Sequence, residues 1–101
     1  MTELDKLEAA LKERKIKYVR EDCEQEIDEK GRIASMDWHQ IIVFGKNGQR
    51  SWDAVCHTGS YGYKQGLLEV MGQPVVRKRD GDSVAGYLTA EEVIRRMEGQ
   101  V

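Results

Sequence analysis

The Asn47-Gly48 pair constrains the fold of this chain more than any other feature of its sequence. It lies between a run of β-branched and aromatic residues and a second run in which apolar and polar residues alternate. Asn-Gly between two such runs is the strongest short-range signal for a β-hairpin, because both residues tolerate the positive φ of a type I′ turn. We therefore predict paired strands over residues 39–44 and 49–56, joined by a two-residue turn.

That turn sets the register of the two strands. With a two-residue loop, Val43 lies opposite Trp52 and Phe44 lies opposite Ser51. Side chains alternate between the faces of a strand, so Trp52 shares its face with Cys56. We expect this face to belong to the core, with Cys56 as a small buried thiol.

Three segments have the pattern of helices. Residues 3–15 carry an amphipathic repeat with Thr2 as the N-cap, and Thr89 with Glu92 forms a capping box that opens a C-terminal helix. A glycine-rich bend then precedes residues 61–71, which have apolar residues at helical spacing and Ser60 as their N-cap. These patterns predict an N-terminal, a middle and a C-terminal helix.

Further strands are expected on both sides of the hairpin. Residues 16–20 and 32–35 fit short strands, while residues 75–79 and 83–88 form either a second hairpin or an irregular loop. The prediction is an α+β fold, in which an antiparallel sheet of about four strands packs against the three helices. The chain is long enough for one domain, residues 1–101.

Composition narrows the class of protein. Hydrophobic residues make up 40% and charged residues 34% of the chain, which is a globular composition, and the net charge of −2 does not favour nucleic-acid binding. Apolar runs are too short to cross a membrane, so we expect a cytoplasmic protein with free thiols at Cys23 and Cys56. The acidic run over residues 21–29 fits a solvated edge better than a mimic of nucleic-acid phosphates.

The sequence lacks a complete metal site or a cofactor motif. The ligand types are present at His39, His57, Cys23 and Cys56, but their spacing matches no zinc site. Neither of the glycine-rich nucleotide fingerprints occurs. We predict no metal and no cofactor.

A hydrolase is the enzyme hypothesis that the residue types allow. The nucleophile would be Cys56 or Ser60, and the base would be His39 or His57. The carboxylate that orients the base would be Asp37 or Asp53. The Gly-x-Ser-x-Gly motif is absent. We rank this alternative last and assign no catalytic residue.

The bend after the hairpin, with neighbouring aromatic residues, is the candidate binding site. Its residues combine amphipathic rings with a flexible backbone and one lysine: Trp38, His57, Ser60, Tyr61, Gly62, Tyr63 and Lys64. One hypothesis is a protein-binding surface. The alternative is a small anionic ligand such as a nucleotide, held by backbone N–H groups at a helix start.

Two stretches, SWDAVCHTGSYGYKQGLLEVMG and SVAGYLTAEEVIRRM, resemble small uncharacterised proteins encoded in bacteriophage and prophage regions of bacteria. The resemblance covers residues 28–97 and implies no activity, cofactor or catalytic residue. It does imply a context, since such proteins often bind a host macromolecule or sequester a signalling molecule. The leading hypothesis is a non-enzymatic binding module with a host or phage protein as partner, and the edge strand at 16–20 leaves room for a homodimer.

Overall fold

A five-stranded antiparallel sheet organises the chain, as a computed structural model shows for residues 1–24, 26–35, 37–76, 81 and 83–99. The elements of these residues, in chain order, are α1 (Glu3–Glu13), β1 (Tyr18–Cys23), β2 (Glu26–Ile27), β3 (Ile33–Ser35), β4 (Trp38–Phe44), β5 (Arg50–His57), a 3₁₀ turn (Tyr63–Gln65), β6 (Leu68–Gly72), β7 (Val84–Leu88) and α2 (Ala90–Met97). The α+β class is therefore confirmed.

The strands form a meander. Their order is β1-β4-β5-β6-β7, and every neighbouring pair is antiparallel. Strands β2 and β3 pair with each other as a separate two-stranded sheet, inserted between β1 and β4 along the chain. The sheet thus has five strands where about four were expected, and β1 is an edge strand as predicted for this part of the chain.

The central hairpin keeps the predicted register over most of its length. Val43 lies opposite Trp52, as expected. Phe44, however, lies opposite Arg50 and not Ser51, because the register shifts between Val43 and Phe44. One extra residue on β5 is the signature of a β-bulge.

The bulge accompanies a longer turn than the one predicted. Gly45 donates its N–H to the carbonyl of Gln49 at 2.8 Å, and Gly48 donates to the carbonyl of Gly45 at 3.0 Å. Gly48 has φ +78°, whereas Asn47 is not among the residues with positive φ. The predicted two-residue type I′ turn is therefore wrong, and the loop has three residues with glycine in the left-handed position.

Both α-helices begin at their predicted N-caps. Thr2 and Asp5 exchange side-chain to backbone hydrogen bonds of 3.0 Å, and Thr89 and Glu92 form the same capping box. Each box satisfies two backbone N–H groups that would otherwise lack an intrahelical partner. The first helix stops before the predicted residue 15, because Lys15 has φ +57°.

The predicted middle helix over residues 61–71 is wrong. Its first half is only the 3₁₀ turn Tyr63–Gln65, and its second half is β6. Gly62 and Gly66, on either side of the turn, have φ of +93° and +72°, a conformation that an α-helix does not contain. Two left-handed residues four positions apart leave no room for a continuous helix.

β6 instead has the alternation of a strand. Leu68 and Val70 are buried in the core, whereas Glu69 and Met71 point to the opposite face. The apolar residues of this segment fit both the spacing of a helix and the alternation of a strand. Hydrogen-bonded pairing with β5 makes the segment a strand.

Residues 84–88 form a strand in the predicted region, but its partner is β6 and not residues 75–79. β7 pairs with β6, so that Met71 lies opposite Val84. Val75 and Val76 lie in a turn and are buried, while residues 77–80 of the predicted strand fall outside the described part of the chain.

Both helices cover the same face of the sheet. Their apolar residues join those of β4, β5 and β6 in one core, whose largest fully buried side chains are Leu4, Leu7, Leu11, Ile41, Leu68, Val70, Val75 and Val93. Trp52 is 2% exposed and belongs to this core, as predicted, and Cys56 packs against it. Among the described helices, none is long and apolar enough to cross a membrane.

Candidate functional site

The face of the sheet opposite the helices carries the most site-like arrangement of side chains. Because side chains alternate along each strand, the observed registers place one set on this face, which we call the open face. Its members are Val19, Glu21, Cys23, Trp38, Gln40, Ile42, Phe44, Arg50, Asp53, Val55, His57, Glu69, Met71 and Val84. Within the described chain, no α-helix packs on it.

A chain of hydrogen bonds runs across the centre of the open face. The Trp38 indole N–H donates to Oε1 of Gln40 at 3.2 Å, and the Gln40 amide donates to Oδ2 of Asp53 at 2.7 Å. Arg50 Nη2 meets the same carboxylate oxygen at 2.8 Å. Gln40 and Asp53 are only 8% and 7% exposed, so this network is a buried and satisfied polar floor.

An aromatic platform adjoins this floor. The rings of Trp38 and His57 stack with centroids 4.2 Å apart and planes within 3° of parallel. His57 Nδ1 lies 2.9 Å from the Thr58 carbonyl, which can only accept, so Nδ1 carries the proton in that contact. Trp38 is 38% exposed. The stacked pair therefore offers part of its aromatic surface to solvent, in an orientation that the stacking fixes.

The floor and the platform border a cavity of about 370 Å³. Val55 and Met71 add apolar walls, and Glu69 adds a carboxylate. Glu69 Oε1 accepts the backbone N–H of Tyr61 at 3.1 Å, which holds the carboxylate at the rim.

The residues predicted for the binding site divide between two places. Trp38 and His57 lie on the open face, while the others belong to the bend. Four of these line a second cavity of about 390 Å³ together with Tyr87, namely Ser60, Gly62, Tyr63 and Lys64. Tyr61 is exposed and stacks on Tyr87, with ring centroids 6.3 Å apart.

The bend lacks the helix start on which the anionic-ligand hypothesis depended. Its backbone N–H groups are largely used internally: Tyr63 donates to the Ser60 carbonyl, and both Gln65 and Leu67 donate to the Gly62 carbonyl. Tyr61 donates to the Glu69 carboxylate, as above. The Ser60 hydroxyl accepts the His57 backbone N–H at 3.1 Å, so it closes a turn and caps no α-helix.

A histidine held between two carboxylates lies on the helix-covered face. His39 Nδ1 is 2.6 Å from Asp22 and Nε2 is 2.9 Å from Asp37, which also accepts the Tyr63 hydroxyl at 2.7 Å. Burial lowers the pKa of His39, but the hydrogen bonds to Asp22 and Asp37 outweigh it and raise that pKa above its usual value. The Tyr63 hydroxyl lowers the pKa of Asp37. The group ties β1, β4 and the bend together.

This histidine is one of three potential metal ligands that lie close together. The ligand atoms of Glu24, Asp37 and His39 lie within 4.8 Å of one another. Both ring nitrogens of His39 already have carboxylate partners, so the arrangement is explained by hydrogen bonding and we assign no metal to it.

Cys56 and His39, two of the residues named for the hydrolase, do not form an activated nucleophile and base. Cys56 lies directly opposite His39 in the β4–β5 register, but burial and the charge of Asp37 raise the pKa of the thiol. A raised pKa keeps the thiol protonated and a poor nucleophile. Both nitrogens of His39 are engaged, so neither is free to act as a base.

The sequence analysis missed most residues of the open-face cavity, among them Gln40, Arg50, Glu69 and Met71. The alternation of residues 68–71 would have placed Glu69 and Met71 on one face of a strand. No comparable signal exists for Arg50, since its position depends on the bulge.

Comparisons with protein-family models, with curated proteins and with solved structures found no match to this chain.

Proposed function

We propose that the protein is a non-enzymatic binding module that holds a partner protein against its open face. The observation that carries this proposal is the buried, satisfied network of Gln40 and Asp53 beneath exposed Trp38 and Met71. Such a floor is already ordered before a partner arrives, which lowers the entropic cost of binding. Aromatic and methionine side chains are also enriched at protein interfaces.

The partner is proposed to be a host or phage protein in the cytoplasm. The resemblance of two stretches of the sequence to phage and prophage proteins supports this context. The two free thiols, Cys23 and Cys56, agree with a reducing compartment.

The other hypotheses have less support from the geometry. A nucleotide-like anion at the bend would compete with internal hydrogen bonds. A hydrolase built on Cys56 would use a thiol whose pKa is raised, opposite a histidine whose two ring nitrogens already have carboxylate partners. A homodimer through edge strand β1 would bring like charges of the acidic run close together, which disfavours strand pairing.

A photo-crosslinking amino acid at position 71 tests the proposal, with the same amino acid at position 12 on the outer side of α1 as the control. We expect adducts with one protein from source-cell extract at position 71 only. The purified partner is then titrated against the wild type, Met71→Lys and Lys12→Glu. Met71→Lys should weaken binding at least about tenfold, which corresponds to about 1.4 kcal/mol, and Lys12→Glu should not.

Equal crosslinking at both positions, or equal affinity of both variants, would overturn the proposal. An adduct between two copies of the chain would identify a homodimer and would also contradict a separate partner.

A further inference from the structure

We propose that the cavity of the open face takes an arginine side chain from the partner protein. This inference rests on the proposed function and adds the chemistry of the contact. It is argued from the charge on the face, from the rings that line the cavity and from its apolar walls.

The open face has an excess of carboxylates. The strand registers place Glu21, Gln40, Val55 and Glu69 in one row across four strands, with a carboxylate at each end. Three strand spacings separate the ends, roughly 14 Å. Among the open-face residues defined above, three carboxylates face a single guanidinium, that of Arg50.

That guanidinium is already used. Arg50 lies 2.8 Å from Asp53, so the two charges compensate each other, and Glu21 and Glu69 supply the remaining charge of the face. Glu69 accepts a hydrogen bond through Oε1, and its Oε2 has no hydrogen-bond partner in the described part of the chain. A cationic group entering the cavity therefore finds an open carboxylate oxygen, whereas an anion would meet net repulsion.

The rings and walls suit arginine more closely than lysine. A guanidinium is planar, stacks on aromatic faces and is more weakly hydrated than an ammonium, and the Trp38–His57 pair offers parallel rings beside the cavity. Val55 and Met71 provide apolar surface for the three-carbon stem. The cavity thus offers apolar walls for the arginine stem, aromatic rings for the guanidinium plane and a carboxylate for its charge.

The test is a ¹⁵N–¹H NMR titration of the whole protein with N-acetyl-arginine amide. N-acetyl-citrulline amide, which has nearly the same shape without the charge, is the matched probe. We expect the arginine probe to shift the Trp38 indole and the Glu69 and Met71 amide signals, with a dissociation constant in the range of about 1–10 mM. Added salt should weaken this binding.

Glu69→Gln separates charge from structure. The amide oxygen of glutamine can still accept the Tyr61 N–H, so the fold is kept while the charge is removed. We expect about fivefold weaker binding of the arginine probe, the loss of one partly exposed charge pair. Glu91→Gln on α2 removes an exposed carboxylate elsewhere and should leave binding unchanged.

Several outcomes would overturn the inference: equal shifts with the citrulline probe, unchanged affinity in Glu69→Gln, shifts confined to other surfaces, or no shifts at all. Signals of the open face that depend on protein concentration alone would identify a second copy as the occupant and would overturn it too. If the probe fails while the partner still crosslinks at position 71, only the arginine chemistry is wrong. If the probe binds but no partner crosslinks there, the proposed function is wrong.

Discussion

Arg50 and Asp53 share one face of β5 although they are three residues apart, and their side chains meet at 2.8 Å. In a regular strand, residues an odd number apart point to opposite faces. The bulge at the start of β5 adds the one residue that reverses this parity, since Phe44 lies opposite Arg50 while Val43 lies opposite Trp52. A local irregularity therefore completes the polar floor of the open face.

The floor should be costly to disrupt. In Gln40→Ala, the buried Asp53 carboxylate loses its shortest hydrogen bond, and the free energy of unfolding should fall by about 1–3 kcal/mol. Urea denaturation measures the change. Gln49→Ala, an exposed position in the neighbouring turn, should stay within about 0.5 kcal/mol of the wild type. Equal effects of the two substitutions would show that the network adds no stability.

Gly62 should tolerate no side chain. It has φ +93°, and a Cβ there would lie 2.9 Å from the Leu67 Cβ and 3.1 Å from the Tyr87 Cα. We expect Gly62→Ala to cost about 2–4 kcal/mol, from backbone strain and steric overlap together.

Gly59→Ala is the matched control for that substitution. Gly59 has nearly the same φ, +94°, but a Cβ there would meet nothing within 4 Å. Gly59→Ala should therefore lower the free energy of unfolding through backbone strain alone, by about 1–2 kcal/mol. Thermal or urea unfolding of the two variants separates the terms, and equal losses would contradict the close packing at Gly62.

The stability of the fold should depend on pH through His39. Its pKa in the folded protein is raised above the usual 6.5, so its contribution is complete below that pH and is lost as the pH rises through the folded-state value. Asp22 and Asp37 have pKa values below the usual 3.8. Their contribution to stability is therefore complete above pH 3.8 and is lost as the pH falls through their folded-state pKa values. We expect the greatest contribution from this group between those two values.

Urea unfolding at about pH 5 and about pH 8.5 checks this expectation. The wild type should lose stability at the higher pH, and His39→Gln, which does not titrate, should lose less. The same loss in both proteins would show that His39 is not the group responsible.

The two thiols should differ in reactivity. Cys23 is exposed, whereas Cys56 is half-buried, and burial together with Asp37 raises the pKa of its thiol. With a thiol reagent at about pH 8, we expect one fast reaction and one at least about tenfold slower. Cys23→Ser should remove the fast phase only, and a fast phase that survives this substitution would contradict the assignment.

Local signals predicted the elements whose cause is local. The capping residues Thr2 and Thr89 start the two helices, and the alternation around Asn47 predicts the central hairpin with Val43 opposite Trp52. Each of these depends on hydrogen bonds or pairings between residues close in the chain. Sequence reasoning failed at β6, where the apolar residues fit both a helical and a strand period.

The sequence by itself determined the α+β class, the starts of the two α-helices at Thr2 and Thr89, and the core position of Trp52. Only the tertiary structure decided that β6 is a strand, because its backbone groups find their partners on β5. The open face follows from that pairing, since it brings Glu69 and Met71 beside Val55 and next to the Trp38 platform. Contacts between residues distant in the chain carry no local signature. For this reason the sequence named Trp38 and His57 of the candidate site, and only the tertiary structure added Glu69, Met71 and Arg50 to them.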